Sequence, residues 1–361
     1  MIVAMPAGKP LVNWTQVTGL PSPRILVPLL REDPDFSGLD DPGHWAEIQE
    51  TAVARRIAAV VAYAVRPRVS PVQREWCDQI LTDSWKRHDE CIRQLDFVLG
   101  LLSQGGIEVL SLKGPILGRR HFPVPFLRRP SRDIDLAIRE SDLERAANHL
   151  VANGYRQQDS ISEAKLTNHH LVMYSSNRPR VELHTRLSHG PRGIRVDEFF
   201  GRAAVHQLPT GRAAAIPSAG DELLGLLLHF ASDRFSSFFH MYELRRVWRS
   251  AHPDLQAEVI SRATAHRFAA VLWLTDLAFQ LVWSETFLPE GVSVPNTWLQ
   301  HRLNSHLLAE MEKNVATIGP RTLARRLKGR WLDLQTTDSG SDALRMVVLI
   351  LRVARRELFR I

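Results

Sequence analysis

Two acidic residues alternate with aliphatic ones in the stretch Asp133-Ile134-Asp135-Leu136. Successive side chains of a β-strand point to opposite faces, so this pattern predicts a strand whose two carboxylates share one face. Two carboxylates on one face repel each other unless a cation lies between them, and hard divalent cations prefer oxygen ligands. A solvated edge strand can carry the same pair, so the metal interpretation depends on the surrounding residues.

Two further stretches carry groups that suit phosphate or metal binding. Lys113-Gly114 ends an apolar run about twenty residues before the acids. A lysine ammonium is a mobile point charge, and glycine lets the backbone approach a phosphate closely. Glu182 and His184 belong to a second alternating run, so a strand would present both on one face. These groups favour a metal–phosphate site over a solvated surface.

Alternating strand-like and helix-like segments would position these residues. Gly105-Gly106 and Gly154 are predicted to end helices. Ser141 and Glu144 have the spacing of a capping box, which predicts that a helix begins there. The predicted elements are helices over 45–65 and 72–104, a strand over 107–112, a short helix up to 121, a strand over 133–138, a helix up to 153, and a hairpin of strands over 169–175 and 180–187.

Beyond residue 200 the pattern predicts only helices, over 219–250, 252–285, 297–315, 317–334 and 341–360. The expected fold class is therefore α+β, a small mixed β-sheet core with flanking helices, N-terminal helices and an all-α C-terminal domain. We expect the division 1–104 for the irregular lead-in and first helices, 105–210 for the core, and 211–361 for the helical domain.

Composition narrows the functional classes. The chain of 361 residues is 44% hydrophobic and 24% charged, which is ordinary for a globular protein, and its two cysteines are too few for a disulfide framework or a classical zinc site. The motifs of P-loop NTPases, serine hydrolases with a nucleophile elbow and zinc proteases are missing. With no signal-peptide pattern and no apolar run of about eighteen residues, a cytoplasmic protein without a membrane partner is expected.

Taken together, four motifs resemble the uncharacterised nucleotidyltransferase family of the DNA polymerase β nucleotidyltransferase superfamily. The likeness spans roughly residues 90 to 250. The wider superfamily usually has Gly-Ser or Gly-Gly where this chain has Lys113-Gly114-Pro115. The motifs are Leu112-Lys113-Gly114, Arg129-Pro130-Ser131-Arg132-Asp133-Ile134-Asp135-Leu136, Gly154-Tyr155 and Val181-Glu182-Leu183-His184.

The resemblance implies an enzyme that transfers a nucleotidyl or phosphoryl group from a nucleoside triphosphate to a hydroxyl acceptor. Asp133 and Asp135 would hold two Mg²⁺ ions, and Glu182 would complete the acceptor-side ion and take the acceptor proton. The nucleotide is expected to be ATP or GTP. A hydroxyl on a ribosomally made peptide or protein is one implied acceptor, and antibiotic-type hydroxyls and RNA ends are others.

The resemblance also implies nucleotide-binding residues. Lys113 and Gly114 would bind the β- and γ-phosphates. Arg129 would either clamp phosphate oxygens or pair with Asp133. His184 would orient Glu182 or the acceptor, or would make a purely structural hydrogen bond.

A histidine farther along the chain is a weaker candidate. The family usually pairs such a histidine with a later aspartate. In this chain the two positions are His229 and Glu243.

Two interpretations without catalysis stay open. One is an inherited nucleotidyltransferase core that senses nucleotides or binds a protein. The other is a basic nucleic-acid-binding protein, which a net charge of +7 and a pI of about 9.8 would suit. No interleaving of aromatic and basic residues supports nucleic acid specifically. Metal-dependent consumption of a triphosphate separates the enzyme from both.

Overall fold

The computed structural model describes residues 23–131, 133–162, 170–176, 178–187, 193–233, 235, 237–289 and 347. The beginning of the predicted lead-in lies outside these residues, as does Arg132. Apart from Val347, so do the helices predicted over 297–315, 317–334 and 341–360. Within the described part, no helix combines the length and apolar character that crossing a membrane requires.

A five-stranded mixed sheet forms the centre of the fold. Its spatial order is β1-β2-β5-β4-β3. Strands β2 and β5 run parallel, whereas the other neighbours are antiparallel. The predicted fold class and the predicted hairpin, which β4 and β5 form, are confirmed. The strands are β1 (Val109–Ser111), β2 (Asp133–Ile138), β3 (Arg156–Gln157), β4 (His170–Tyr174) and β5 (Arg180–His184).

In the described part of the chain, two 3₁₀ turns (Pro23–Leu26 and Pro28–Leu30) and three α-helices precede the sheet. The α-helices are α1 (Pro42–Ala54), α2 (Ala58–Val65) and α3 (Pro71–Gln104). The single helix predicted over 45–65 is wrong, because the chain turns between α1 and α2 at Arg56, whose φ is 61°. The long α3 is confirmed. Its Ser70 accepts a bond from the backbone of Gln73 and donates its own backbone N–H to the Gln73 side chain, a complete capping box.

Two helices flank the strands, α4 (Gly114–His121) and α5 (Leu143–Ala152). The capping box predicted at Ser141 is wrong. A 3₁₀ turn over Glu140–Asp142 precedes α5 instead, and Asp142 forms an ion pair with Arg145 at 2.7 Å. A first turn stabilised by an ion pair thus replaces the predicted side-chain cap.

A second small sheet corrects the prediction of helices alone beyond residue 200. After the short α6 (Asp197–Phe200), strands β6 (Ala204–Gln207) and β7 (Ala213–Ile216) form an antiparallel hairpin. The alanines of β7 favour a helix intrinsically, but Ala214 and Ile216 are buried in the core of the main sheet. Tertiary packing overrides local propensity here.

Four helices complete the described structure: α7 (Ala219–Ser232), α8 (Phe238–Ser250), α9 (Pro253–Ala265) and α10 (Ala269–Trp283). They divide each of the longer helices predicted over 219–250 and 252–285 into two.

Two hydrophobic clusters lie on opposite faces of the main sheet. One packs Ile134 and Leu136 of β2 against α3 and α5. The other includes Ala137 of β2 together with residues from α1, α2 and α7–α10. Because side chains alternate, the face with Asp133 and Asp135 is the face turned toward the C-terminal helices. The division of the chain at residues 104 and 210 stays a prediction.

Candidate active site

The pairing of β2 with β5 brings the predicted carboxylates together. The parallel register aligns Asp133 with Arg180, Asp135 with Glu182, and Ala137 with His184. Directly paired residues of neighbouring strands project from the same face of the sheet. Asp135 and Glu182 are therefore neighbours, and Asp133 lies on the same face, two residues before Asp135.

Arg180 connects Asp133 with Glu182. Its Nη2 lies 2.5 Å from Oδ2 of Asp133 and 2.8 Å from Oε1 of Glu182. The arginine side chain is 46% exposed, whereas that of Glu182 is 12% exposed. Arg180 was not among the residues predicted for the site, although its position two residues before Glu182 puts it on the same strand face. A positive charge between two predicted metal-binding acids is already accommodated here.

His184 connects the two inner carboxylates. Its Nε2 lies 2.9 Å from Oδ1 of Asp135 and 3.6 Å from Oε2 of Glu182. Burial by itself lowers the pKa of His184, but its hydrogen bonds to the two acids outweigh that effect and raise it. Of the alternatives predicted for His184, the contact with Glu182 is present, and the contact with Asp135 is shorter.

Both inner carboxylates are held in their charged forms. Burial raises the pKa of Asp135, but the charge of Lys113 and the hydrogen bond to His184 outweigh it and hold the pKa below its ordinary value. Burial also raises the pKa of Glu182, but the hydrogen bond to His184 and the proximity of His170 outweigh burial and hold that pKa below its ordinary value. Both groups are therefore anionic at neutral pH, as metal ligands or a general base must be.

The three predicted acids, Asp133, Asp135 and Glu182, do not converge on a single metal position. Among the described residues, two groups of three metal-capable side chains have ligand atoms within 4.8 Å of one another, and neither includes Asp133 or Asp135. Asp133, Asp135 and Glu182 are instead linked through Arg180 and His184. The two groups consist of His170, Glu182 and His184, and of His229, Asp233 and His240.

Lys113 lies at the predicted position beside the acids. It precedes α4 with a φ of 48°, and its side chain is 16% exposed. The Nζ atom lies 3.9 Å from Oδ1 of Asp135 and 2.9 Å from Nδ1 of His229. The ammonium is therefore held between the sheet and α7.

A chain of hydrogen bonds continues from Lys113 into the C-terminal helices. Nε2 of His229 lies 3.2 Å from Nε2 of His240, whose Nδ1 lies 2.5 Å from Oδ2 of Asp233. An ammonium only donates, so Lys113 donates to His229, His229 to His240, and His240 to Asp233. Burial, followed by the charge of Lys113, lowers the pKa of His229 well below its ordinary value, which keeps that ring neutral.

Glu243 does not pair with His229. It is fully buried and accepts a hydrogen bond from Nε of Arg128 at 2.5 Å. The pairing that the family resemblance suggested for Glu243 is therefore wrong. Its longer side chain reaches the loop before Asp133 instead.

The start of α4 opens onto a surface concavity. Gly114 has a φ of 64°, and a Cβ atom there would meet nothing within 4 Å. The concavity is lined by residues that include Ser111, Gly114, Asp133 and Asp135. Free backbone N–H groups at a helix start suit an anion. Arg129 is partly exposed in the loop between α4 and β2, and its two predicted roles stay predictions. Arg180 already supplies an ion pair to Asp133.

Comparison with known proteins gives one family. No curated protein matches the chain. Two similar solved structures are the solution structure of the antibiotic-resistance factor ANT(2'')-Ia and a crystal structure of ANT(2'')-Ia in complex with adenylyl-2''-tobramycin. Each is 9% identical with a TM-score of 0.37 over 48% of this chain, covering 92% and 98% of those chains respectively. The sequence profile of the uncharacterised nucleotidyltransferases matches residues 41–282, and the chain belongs to that family.

Proposed function

We propose that this protein is a divalent-metal-dependent nucleotidyltransferase that moves a nucleotidyl unit from a nucleoside triphosphate to a hydroxyl group. The observation that carries the proposal is the register of β2 and β5, which places Asp135 beside Glu182 with Asp133 on the same face. Membership of the nucleotidyltransferase family supports this assignment of the reaction class.

The donor set fits hard divalent cations. Asp133 and Asp135 would hold two Mg²⁺ ions, and Glu182 would complete the acceptor-side one. The position of Arg180 supports the fit, because its cation already lies between Asp133 and Glu182 at 2.5 and 2.8 Å. Its partial exposure would let it turn away when another cation enters. When bound, such ions neutralise phosphate charge and make the acceptor hydroxyl more acidic.

The protein's own groups would bind and orient the reactants. The acceptor oxygen attacks the α-phosphorus, the bond from that phosphorus to the bridging oxygen of the β-phosphate breaks, and pyrophosphate leaves. Glu182 is anionic and would accept the acceptor's proton. Arg129 would bind phosphate oxygens at the rim of the site.

Lys113 would bind the β- or γ-phosphate. The hydrogen-bond chain from Lys113 through His229 and His240 ends on the carboxylate of Asp233. Because Lys113 can only donate and Asp233 accepts, the donor and the acceptor of every bond in between are determined. This order fixes the ammonium near Asp135, where a phosphate bound over Gly114 would meet it. The positioning of Lys113 by C-terminal helices gives those helices a part in nucleotide binding.

The family resemblance suggests ATP or GTP as the donor and a peptide or protein hydroxyl as the acceptor. The test follows transfer from each of the four nucleoside triphosphates, labelled at the α- or γ-phosphorus, into a cell extract with Mg²⁺. We expect α-label in an extract component with the wild-type protein and none with Asp135→Asn. Asp254→Asn is the matched control, because that side chain is 94% exposed and far along the chain from the acids.

Other outcomes would replace the proposal. Transfer of γ-label alone would make the protein a phosphotransferase. Metal-dependent nucleotide binding without transfer to any extract component would favour a sensor. No nucleotide binding by either variant would favour the nucleic-acid-binding interpretation. Circular dichroism of Asp135→Asn would establish that lost transfer does not reflect lost folding.

A further inference from the structure

Two histidines, which could supply nitrogen ligands to a metal ion, lie beside Glu182 in the carboxylate site. His170 and His184 are directly opposite each other in the antiparallel pair of β4 and β5, with ring centroids 4.9 Å apart. Both Nε2 atoms face one oxygen of Glu182. Oε2 of Glu182 lies 3.7 Å from that of His170 and 3.6 Å from that of His184.

These separations are close to those around a bound metal ion. Zinc lies about 2.0–2.2 Å from histidine nitrogens and carboxylate oxygens, so two ligands at bond angles near 90–110° are about 3.0–3.4 Å apart. Here the separations from Glu182 Oε2 are 3.6 and 3.7 Å, and the ligand atoms of His170, Glu182 and His184 all lie within 4.8 Å of one another. Small movements of the two imidazole rings would therefore bring these three donors onto one ion.

The two oxygens of Glu182 face different partners. Oε1 contacts Arg180, which also contacts Asp133, whereas Oε2 faces the two histidines. An ion on the histidine side would leave the arginine in place. His170 is 17% exposed and His184 only 3%, so access to this position is from the His170 side.

The second group of three ligands does not converge in this way. Asp233 contacts Nδ1 of His240, whereas His229 contacts Nε2 on the opposite side of the same ring. A metal ion bound by these three residues would have to break two hydrogen bonds, whereas at the first group it would displace only the proton between His184 and Asp135.

We propose that a mixed nitrogen–oxygen site beside the three carboxylates binds a transition-metal dication of the Zn²⁺ class. His170, His184 and Oε2 of Glu182 are its ligands. Imidazole suits zinc and related metals, whereas Mg²⁺ takes oxygen ligands. The inference goes beyond the proposed function, because this site uses Oε2 of Glu182 and leaves Oε1 on the side of Asp133, and because binding itself requires no turnover.

The experiment measures Zn²⁺ binding to the full chain after chelator treatment, without nucleotide and with Mg²⁺ in excess, by competition with a chromophoric chelator. We expect one Zn²⁺ per chain that Mg²⁺ does not displace. His170→Gln should weaken the affinity at least tenfold, because the amide is similar in size but a poor zinc ligand. His252→Gln, at a histidine that is 76% exposed, should bind zinc as the wild type does.

X-ray absorption of the zinc-loaded protein provides a readout independent of activity. We expect two imidazole ligands in the wild type and one in His170→Gln. An all-oxygen ligand set, displacement of zinc by Mg²⁺, or unchanged affinity in His170→Gln would overturn the proposal. So would loss of binding in His240→Gln, which would move the ion to the other group. If zinc binds as expected but no α-label is transferred, the proposed function fails and the metal site stands.

Discussion

Replacing Arg128 with methionine should lower the free energy of unfolding by about 3–5 kcal/mol, because it leaves a buried carboxylate without its positive partner. Glu243 is fully buried and Arg128 is 5% exposed, and the atoms Nε and Oε1 are 2.5 Å apart. Methionine fills much of the space of the arginine stem, so the loss would reflect charge more than volume.

The size of the effect follows from the surroundings of the pair. Among the described residues, Oε2 of Glu243 has no hydrogen-bond partner, so the bond from Arg128 carries most of the compensation for burying that carboxylate. The guanidinium also donates to the carbonyl of Arg129 at 3.2 Å and lies 5.9 Å from the ring centroid of Phe239. Loss of these contacts adds to the cost of an unpaired charge.

The assay is urea unfolding followed by circular dichroism, for the wild type, Arg128→Met, Glu243→Leu and the double variant. Removing both charges together leaves no unpaired group, so the double variant should be more stable than Arg128→Met. The reasoning would be refuted if Arg128→Met lost less than about 1 kcal/mol, or if the double variant lost the sum of the two single losses.

Three further predictions concern other parts of the molecule. Gly118→Ala should destabilise the protein by about 1–3 kcal/mol, because its Cβ would overlap the carbonyl oxygen of Pro125. Burial, reinforced by nearby arginines, lowers the pKa of His88 to about 4, so the unfolded chain binds a proton first and stability should fall by about 3 kcal/mol as the pH drops from 6.5 to 4. In His88→Gln this part of the pH-dependent loss of stability should be absent. Asp233→Asn should raise KM for the nucleotide about tenfold with little change in kcat, because the ammonium at the other end of the hydrogen-bond chain loses its fixed position.

Each of these predictions has a control variant or an outcome that would contradict it. Gly201→Ala adds a Cβ that meets nothing within 4 Å and should leave stability nearly unchanged. Equal losses at Gly118 and Gly201 would contradict the steric argument. Identical pH dependence of unfolding in the wild type and His88→Gln would contradict the assignment to that histidine. A fall in kcat alone for Asp233→Asn would show that the hydrogen-bond chain from Lys113 to Asp233 does not serve nucleotide binding.

Local patterns predicted the parts of the fold that local physics determines. The alternation around Asp133 and Asp135 predicted β2, and the apolar periodicity over residues 72–104 predicted α3 to within a residue. The capping box predicted at Ser141 was wrong because Ser141 lies inside a 3₁₀ turn over Glu140–Asp142, and the helix begins after that turn, at Leu143. The strand β7 was missed because alanine has a low intrinsic strand propensity, and burial in the core stabilises the extended conformation here.

The contacts that complete the site could not be predicted from the spacing of residues along the sequence. Lys113 and His229 are 116 residues apart, and Arg128 and Glu243 are 115 apart, so only tertiary packing brings them together. Arg180 was overlooked because its partner lies on a different strand, in register with it. His170 showed no metal-ligand spacing along the chain. Its proximity to Glu182 depends on the pairing of β4 with β5.

The most direct test of the account is the fate of each phosphorus in one turnover. A nucleoside triphosphate labelled with different isotopes at the α- and γ-positions would be incubated with Mg²⁺ and the acceptor fraction from the extract. We predict the α-isotope in the product and the γ-isotope in pyrophosphate, in equal amounts, with Glu182→Gln slowing both by about 10²–10⁴-fold. Appearance of the γ-isotope in the acceptor, or an undiminished rate in Glu182→Gln, would contradict the account.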